Sequence, residues 1–151
     1  MAFAPHDHSV CVSSAMSAAQ TYCEANGLKF TETRKRVLRI LLEKHRAIGA
    51  YDILEVLRQE GLAAQPPVAY RALDFLVSNG FAHKIEKLNA YVACAHPGQD
   101  HTPAFMICRS CDAVAEAQTH MTTLTRVAES TGFQIEATVQ EAQGLCPDCQ
   151  G

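Results

Sequence analysis

The sequence contains no apolar stretch that approaches the roughly 18–20 residues of a membrane-spanning helix, so we expect no such span. Its first residues also lack the basic region and apolar stretch of a secretory signal peptide. These two absences favour a protein that stays in the reducing cytoplasm. In that compartment, paired cysteines bind metal more often than they form disulfides.

Several signatures of enzymes are missing as well. The chain has neither a Gly-rich phosphate loop nor serine, histidine and aspartate in the order of a hydrolase triad. Zinc deaminases need a His-x-Glu motif, and no histidine here is followed by glutamate two positions later. We therefore expect that the protein is not an enzyme.

Basic residues are scarce in the last third of the chain. Residues 95–151 contain 2 Lys and Arg against 7 Asp and Glu, whereas residues 1–94 contain 11 against 9, which gives net charges of −5 and +2. A chain of 151 residues is long enough for two small units. The uneven charge indicates two units with different partners, of which the first is better suited to a polyanion.

The first unit has the element order of a winged helix-turn-helix. A short helix is expected over residues 13–26, and apolar residues recur at helical spacing in three segments that follow it. Two short alternating stretches joined by a turn near Lys87–Asn89 then predict a β-hairpin. Three or four helices followed by a hairpin predict a DNA-binding fold.

The third of those segments, "QPPVAYRALDFLVSNG", carries the residues most suited to reading bases. At about 100° per residue one face is apolar, and the opposite arc carries Tyr70, Arg71 and Asp74. Arg71 is suited to a guanine edge, and Tyr70 to a base methyl or a phosphate. The alternative for Arg71 is a surface ion pair with Asp74, worth well under about 1 kcal/mol. Further candidates for phosphate contacts are Lys35, Arg36, Arg39, Lys84 and Lys87. The alternative is that these charged side chains are only solvated.

Two Cys-x-x-Cys pairs are the strongest signal in the chain. Cys108 and Cys111 form the first pair, and Cys146 and Cys149 follow after a gap of 34 residues. Four thiolates on two tight turns can form a closed tetrahedral zinc site. A unit of about 50 residues buries little core, so a metal would supply much of its stability. The alternative is a redox pair, but "CPDC" is not followed by a helix that could activate a thiol.

A second group of candidate ligands surrounds the boundary between the two units. These residues are His83 and Cys94 in the predicted hairpin, His96 and His101 in the linker, and Glu116 beyond the first cysteine pair. Mixed ligands at a junction suit an exchangeable metal, although each side chain alone could equally be packed or solvated. A thiolate with imidazoles favours Zn²⁺ over Mn²⁺ or Fe²⁺ and leaves Co²⁺ and Ni²⁺ open.

The segment 95–102 is the best linker candidate because Pro, Gly and polar residues cluster there. It divides the chain into a winged-helix unit over 1–94 and a zinc-stapled unit over 103–151. In the second unit the pattern predicts two strands, an amphipathic helix and a half-buried strand over 133–142. The fold class predicted from these elements is α+β.

In order, these segments resemble the ferric uptake regulator (Fur) family and, within it, its zinc-responsive subgroup. The resemblance runs from about Cys23 onward and is carried by "TETRKRVLRIL", "AYDILEVL", "PPVAYRALDFLVSNGFAHKIE", "YVAC", "FMICRSCDAVAE" and "GLCPDC". It implies a homodimeric repressor with an N-terminal winged helix and a C-terminal α/β dimerisation domain. Zinc-loaded, such a dimer would bind palindromic operator DNA and repress zinc-uptake genes.

The resemblance also implies two zinc ions per chain. One would be structural and held by the four paired cysteines. The other would be regulatory and held by His83, Cys94, His101 and Glu116. His101 is preferred to His96 because it matches the His-Thr of the subgroup. The chain has "VAYR" where the family often has "TVYR", and "TETR" where it often has "TPxR", which leaves details of DNA docking open.

Two other functions stay open at this point. Another sensor of the same family would respond to iron, nickel or peroxide, whereas a zinc-thiolate redox sensor would form a reversible disulfide and lose zinc under mild oxidant. Near the N-terminus, His6, His8 and Cys11 could form a further weak metal site, although a loose tail is the more ordinary interpretation.

Overall fold

The structure is a computed structural model that describes residues 3, 7–44, 46–62, 65–95, 97, 102–119 and 122–151, with only the backbone of His8 and Thr122. Its helices are α1 (His8–Ala25), α2 (Glu32–Leu42), α3 (Ala50–Gln59), α4 (Pro66–Ser78) and α5 (Thr122–Thr131). Its strands are β1 (Ala82–Ile85), β2 (Ala90–Ala93), β3 (Thr102–Cys108), β4 (Val114–Thr119) and β5 (Glu141–Gly144), followed by a 3₁₀ turn at Pro147–Cys149.

The helix starts follow from local capping. The carboxylate of Asp7 accepts a hydrogen bond from the backbone of Ser9, so α1 begins five residues earlier than expected. Thr31 caps α2 through the backbone N–H of Arg34. Two prolines open α4, where their missing N–H groups cost nothing. Within the described part of the chain, no helix combines the length and apolar character needed to cross a bilayer.

The core of the first unit lies between α2, α3 and α4. It consists of almost fully buried aliphatic side chains, each worth about 1.5–3 kcal/mol on burial: Val37, Leu38, Leu41, Ile53, Leu57, Leu73 and Leu76. α1 packs on it through Ala19 and Cys23, and burial raises the pKa of the Cys23 thiol. The opposite side of α4 is left exposed, as its periodicity predicts.

The hairpin of β1 and β2 completes a winged helix, which confirms the predicted fold class. The two strands pair antiparallel with Ala82 opposite Ala93, and Asn89 takes a positive φ of 47° in the connecting turn. A third short segment joins them, because Ile48 and Tyr91 exchange two backbone hydrogen bonds of 2.9 Å. The loop between α2 and α3 is therefore tied to the hairpin.

The second unit is a three-stranded sheet in the order β4–β3–β5, antiparallel between β3 and β4 and parallel between β3 and β5. The expected strand over 133–142 is wrong for most of its length, because β5 starts only at Glu141. The preceding residues alternate in sequence, but Phe133 and Val139 are 68% and 63% exposed. Alternation predicts that one face of the segment is buried, but the described residues of this chain leave these two side chains exposed.

The two units share a small apolar core. Ile85 and Val92 from the hairpin pack with Phe105, Ile107 and Val114 from the second sheet. A further backbone bridge pairs Arg46 with Ala113. The hairpin and the loop between α2 and α3 thus both lie on the second unit.

Candidate metal centres

The two cysteine pairs meet because β3 and β5 are parallel neighbours. Cys108 ends β3 opposite Gly144 in β5, so the turns that follow both strands emerge side by side. The first turn carries Cys111, and the second carries Cys146 and Cys149. All four sulfur atoms lie within 4.8 Å of one another.

The spacing of these sulfurs fits a tetrahedral zinc ion. A Zn–S distance of about 2.3 Å in a tetrahedron places neighbouring sulfurs about 3.8 Å apart. The Sγ atoms of Cys111 and Cys146 are 3.8 Å apart, well beyond the roughly 2.05 Å of a disulfide. The chemistry and the spacing of the donors therefore both suit zinc.

Two thiols of the cluster, those of Cys108 and Cys149, differ widely in pKa. Backbone hydrogen bonds, first from Cys146 and then from Cys111, lower the pKa of Cys108 to about 6. A hydrogen bond with Ser110 favours the thiolate of Cys149, but the sulfurs of Cys146 and Cys111, together with burial, raise its pKa to about 12. Negative charge thus settles first on Cys108, and ionising all four thiols calls for a bound cation.

A second cluster joins the two units. His83 lies on β1 and Cys94 just after β2, whereas Glu116 lies on β4 of the second sheet. Glu116 Oε1 is 3.4 Å from His83 Nε2 and 3.8 Å from Cys94 Sγ, and one donor atom of each residue falls within 4.8 Å of the others. The other oxygen of Glu116, Oε2, accepts a 2.8 Å hydrogen bond from the backbone of Ala95.

This cluster has the character of a metal site rather than a solvated surface. The side chain of Glu116 is 3% exposed, that of His83 is 16% exposed, and Cys94 is buried. Removing a carboxylate from water costs free energy unless a cation or strong hydrogen bonds compensate it. One nitrogen, one sulfur and one oxygen donor converge here, a set that zinc accepts. His101 and His96 lie outside the described residues, as does His6.

The predicted DNA-contacting residues lie on α2, on α4 and in the hairpin, where Lys84 and Lys87 are exposed. Tyr70 is 41% exposed on α4, and Arg71 beside it is exposed. On α2, Arg39 is exposed, and Lys35 lies 3.5 Å from Glu32.

Arg36 differs from its neighbours on α2. Its guanidinium bonds the carboxylate of Glu60 beyond α3 and lies 3.6 Å from Glu43. The bond to Glu60 raises the pKa of Arg36 and lowers that of Glu60. The guanidinium of Arg36 links α2 to the end of α3. Its positive charge is therefore partly neutralised by carboxylates of the same chain.

Sequence reasoning missed one acidic residue at the junction of the units. The carboxylate of Glu141 accepts hydrogen bonds from the backbone N–H groups of Glu86, at 2.6 Å, and Lys87, at 2.9 Å. These partners are more than 50 positions away in sequence. No local motif marks Glu141, because a backbone N–H carries no sequence signature.

Comparison with known proteins agrees with this architecture. A sequence model of the ferric uptake regulator family matches residues 25–140. The zinc uptake regulation protein of Escherichia coli (strain K12) is 40% identical over 137 residues, which cover 89% of this chain and 80% of that protein.

Solved structures of regulators resemble this chain as well. A zinc uptake regulator complexed with zinc and DNA is 38% identical, covers 91% of this chain and 94% of its own, and superposes with a TM-score of 0.88. The holo form of XcZur, also 38% identical, gives 0.80 over 95% of this chain and 98% of its own. Its apo form gives 0.54 over 93% and 99%.

Proposed function

The chain belongs to the ferric uptake regulator family, and from that premise we propose that it is a zinc-responsive transcriptional repressor. As a zinc-loaded homodimer it binds palindromic operator DNA and represses genes of zinc uptake. The observation that carries this proposal is the cluster of His83, Cys94 and Glu116, because its ligands come from both units. A metal bound there makes the position of the DNA-binding unit depend on zinc.

Two zinc ions per chain have different tasks in this proposal. The four cysteines lie entirely within the second unit, 103–151, and hold a structural ion. His83, Cys94 and Glu116 hold the regulatory ion, with His101 of the linker 95–102 as the fourth ligand. The thiolate of Cys94 favours zinc over iron or manganese, which argues against the iron-sensing alternative.

The similarity to solved structures supports a zinc-dependent arrangement of the units. The zinc- and DNA-bound regulator and holo XcZur superpose with TM-scores of 0.88 and 0.80, whereas apo XcZur reaches only 0.54 at the same identity. Equal identity with unequal superposition means that the structures differ in arrangement. The arrangement seen here resembles the loaded forms more than the apo form. A ligand that binds one arrangement better shifts the population toward it.

DNA contact is proposed for the exposed side of the winged-helix unit, 1–94. Arg71 and Tyr70 of α4 read base edges in the major groove. Lys35 and Arg39 of α2 contact phosphates. Arg36 joins them more weakly, because Glu60 already holds its guanidinium.

Apolar side chains left exposed on the second unit support its role in dimerisation. They are Met106, Leu124, Val127, Phe133 and Val139, each between 43% and 68% exposed. Contiguous exposed apolar surface is typical of an interface with another protein. A second copy of the chain covers them in this proposal. The dimer is a cytoplasmic regulator, and we assign it no catalytic role.

Metal analysis paired with DNA binding tests the proposal. The purified protein is assayed before and after mild chelation and again after zinc is restored. We expect two zinc ions per chain, of which one resists the chelator and the other controls DNA binding reversibly. A single zinc ion together with metal-independent DNA binding would overturn the proposal.

A further inference from the structure

Glu141 and Glu116 occupy equivalent places on either side of the central strand. Both are register partners of Phe105 in β3, Glu116 from β4 and Glu141 from β5. Residues directly opposite one another in neighbouring strands point to the same face of a sheet. Phe105 is buried against the hairpin, and its ring lies 5.5 Å from that of His83. The face that carries this row is thus the one on which the hairpin rests.

Strand β1 runs along that row from one carboxylate to the other. At one end, Glu116 meets His83 and the backbone N–H of Ala95. At the other end, Glu141 accepts the backbone N–H groups of Glu86 and Lys87. From residue 83 to residue 86 a strand advances about 10 Å, and the two strand spacings from β4 to β5 also amount to about 10 Å. The hairpin fits the sheet because these lengths match.

We propose that Glu141 is a positioning residue that docks the hairpin turn on the second sheet and thereby brings His83 and Cys94 to Glu116. Its bonds involve only protein groups, so this docking forms without metal. A site whose ligands are already in place binds a metal more tightly, because none of the binding free energy is needed to bring the ligands together. Glu141 therefore strengthens regulatory zinc binding without touching the metal. The zinc and DNA parts of this inference rest on the proposed function, whereas the docking contact itself does not.

The first test follows the two amide protons directly. Hydrogen exchange of the Glu86 and Lys87 amides is measured by NMR in the full-length wild type, in Glu141→Ala and in the size-matched Glu141→Gln. We expect the exchange of both amides to accelerate about tenfold in Glu141→Ala and less in Glu141→Gln, whose remaining amide oxygen still accepts one bond. Glu136→Gln is the matched control, since Glu136 is exposed on the segment just before β5.

The second test measures zinc affinity at the removable site by competition with a chelator. We expect about tenfold weaker binding in Glu141→Ala, no change in Glu136→Gln, and an unchanged amount of chelator-resistant zinc in both. Because Glu141 acts through docking, saturating zinc should restore most of the DNA binding of the variants.

Three results would overturn the inference. Unchanged amide exchange in Glu141→Ala would show that the docking contact is absent in solution. Accelerated exchange with unchanged zinc affinity would show that the contact does not arrange the ligands. Tighter DNA binding at saturating zinc, with zinc affinity unchanged, would instead make Glu141 a charge that repels the DNA backbone. A wild type that fails to bind DNA would overturn the proposed function, while the exchange and zinc measurements would still decide the role of Glu141.

Discussion

The two candidate metal clusters of this chain are built in opposite ways. The cysteine cluster draws all its ligands from the ends of β3 and β5 and from the turns that follow them, within one small unit. The mixed cluster draws His83 and Cys94 from the hairpin and Glu116 from the sheet beneath it. Ligands within one unit can stabilise that unit alone. Ligands shared by two units make their relative position depend on the metal.

The largest expected effect comes from breaking the cysteine cluster. Cys146→Ser should remove the structural ion and with it the folded second unit, because structural zinc contributes apparent free energies on the order of 10–16 kcal/mol. Zinc content, circular dichroism and the oligomeric state measure the loss. Cys11→Ser, at an exposed cysteine of α1, is the control and should change none of them. A folded, dimeric Cys146→Ser protein would show that the cluster is not needed to keep the second unit folded.

Breaking the mixed cluster should leave the fold intact and abolish the switch. Glu116→Gln keeps the side-chain volume and can still accept the N–H of Ala95, but it removes the carboxylate charge. We expect one zinc ion per chain instead of two, unchanged circular dichroism, and DNA binding roughly 5–150-fold weaker in the presence of zinc, the usual range of such couplings. Glu129→Gln on α5, at an exposed position, is the matched control.

Thermodynamic linkage sharpens this comparison. If zinc tightens DNA binding by some factor, operator DNA must tighten zinc binding by the same factor. Competition titrations of the removable zinc with and without operator DNA measure it in the wild type. The chelator-resistant ion of the cysteine cluster should show no such dependence. Equal zinc affinity with and without DNA would rule out direct coupling.

Removing a side chain that contacts DNA should have a smaller effect and leave zinc binding unchanged. Arg71→Ala should lower operator affinity by about 1–3 kcal/mol and relax specificity at one base position, because a bidentate contact to guanine is lost. Both zinc stoichiometries should stay as in the wild type. Binding assays on single-base operator variants detect the change, with Arg126→Ala on α5 as control. Equal weakening on operator and random DNA would remove Arg71 from base recognition.

The smallest expected effect is that of a phosphate contact. Arg39→Ala should weaken binding to all sequences alike and lower the slope of log affinity against log salt by about 1. A salt titration on operator and random DNA measures both quantities. An unchanged slope would mean that Arg39 is only solvated.

Much of the fold could be predicted because its signals are local. The winged-helix order follows from helical periodicity in α2, α3 and α4 and from caps such as Thr31, all of which involve neighbours within a few positions. The strand expected over 133–142 failed for the same reason. The alternation is a local property of the sequence, whereas strand pairing depends on which other strand lies beside the segment. Here the segment pairs with β3 only from Glu141 onward.

The sequence by itself identified the four cysteines as one group, because two Cys-x-x-Cys pairs have the ligand type and the spacing of a zinc site. It also named His83, Cys94 and Glu116 as candidates near one boundary, without deciding that they meet. Only the tertiary structure decided that, since the hairpin must lie across the second sheet for Glu116 to reach the other two. The role of Glu141 was decided there alone, because backbone amides more than 50 residues away become its partners only after the two units pack.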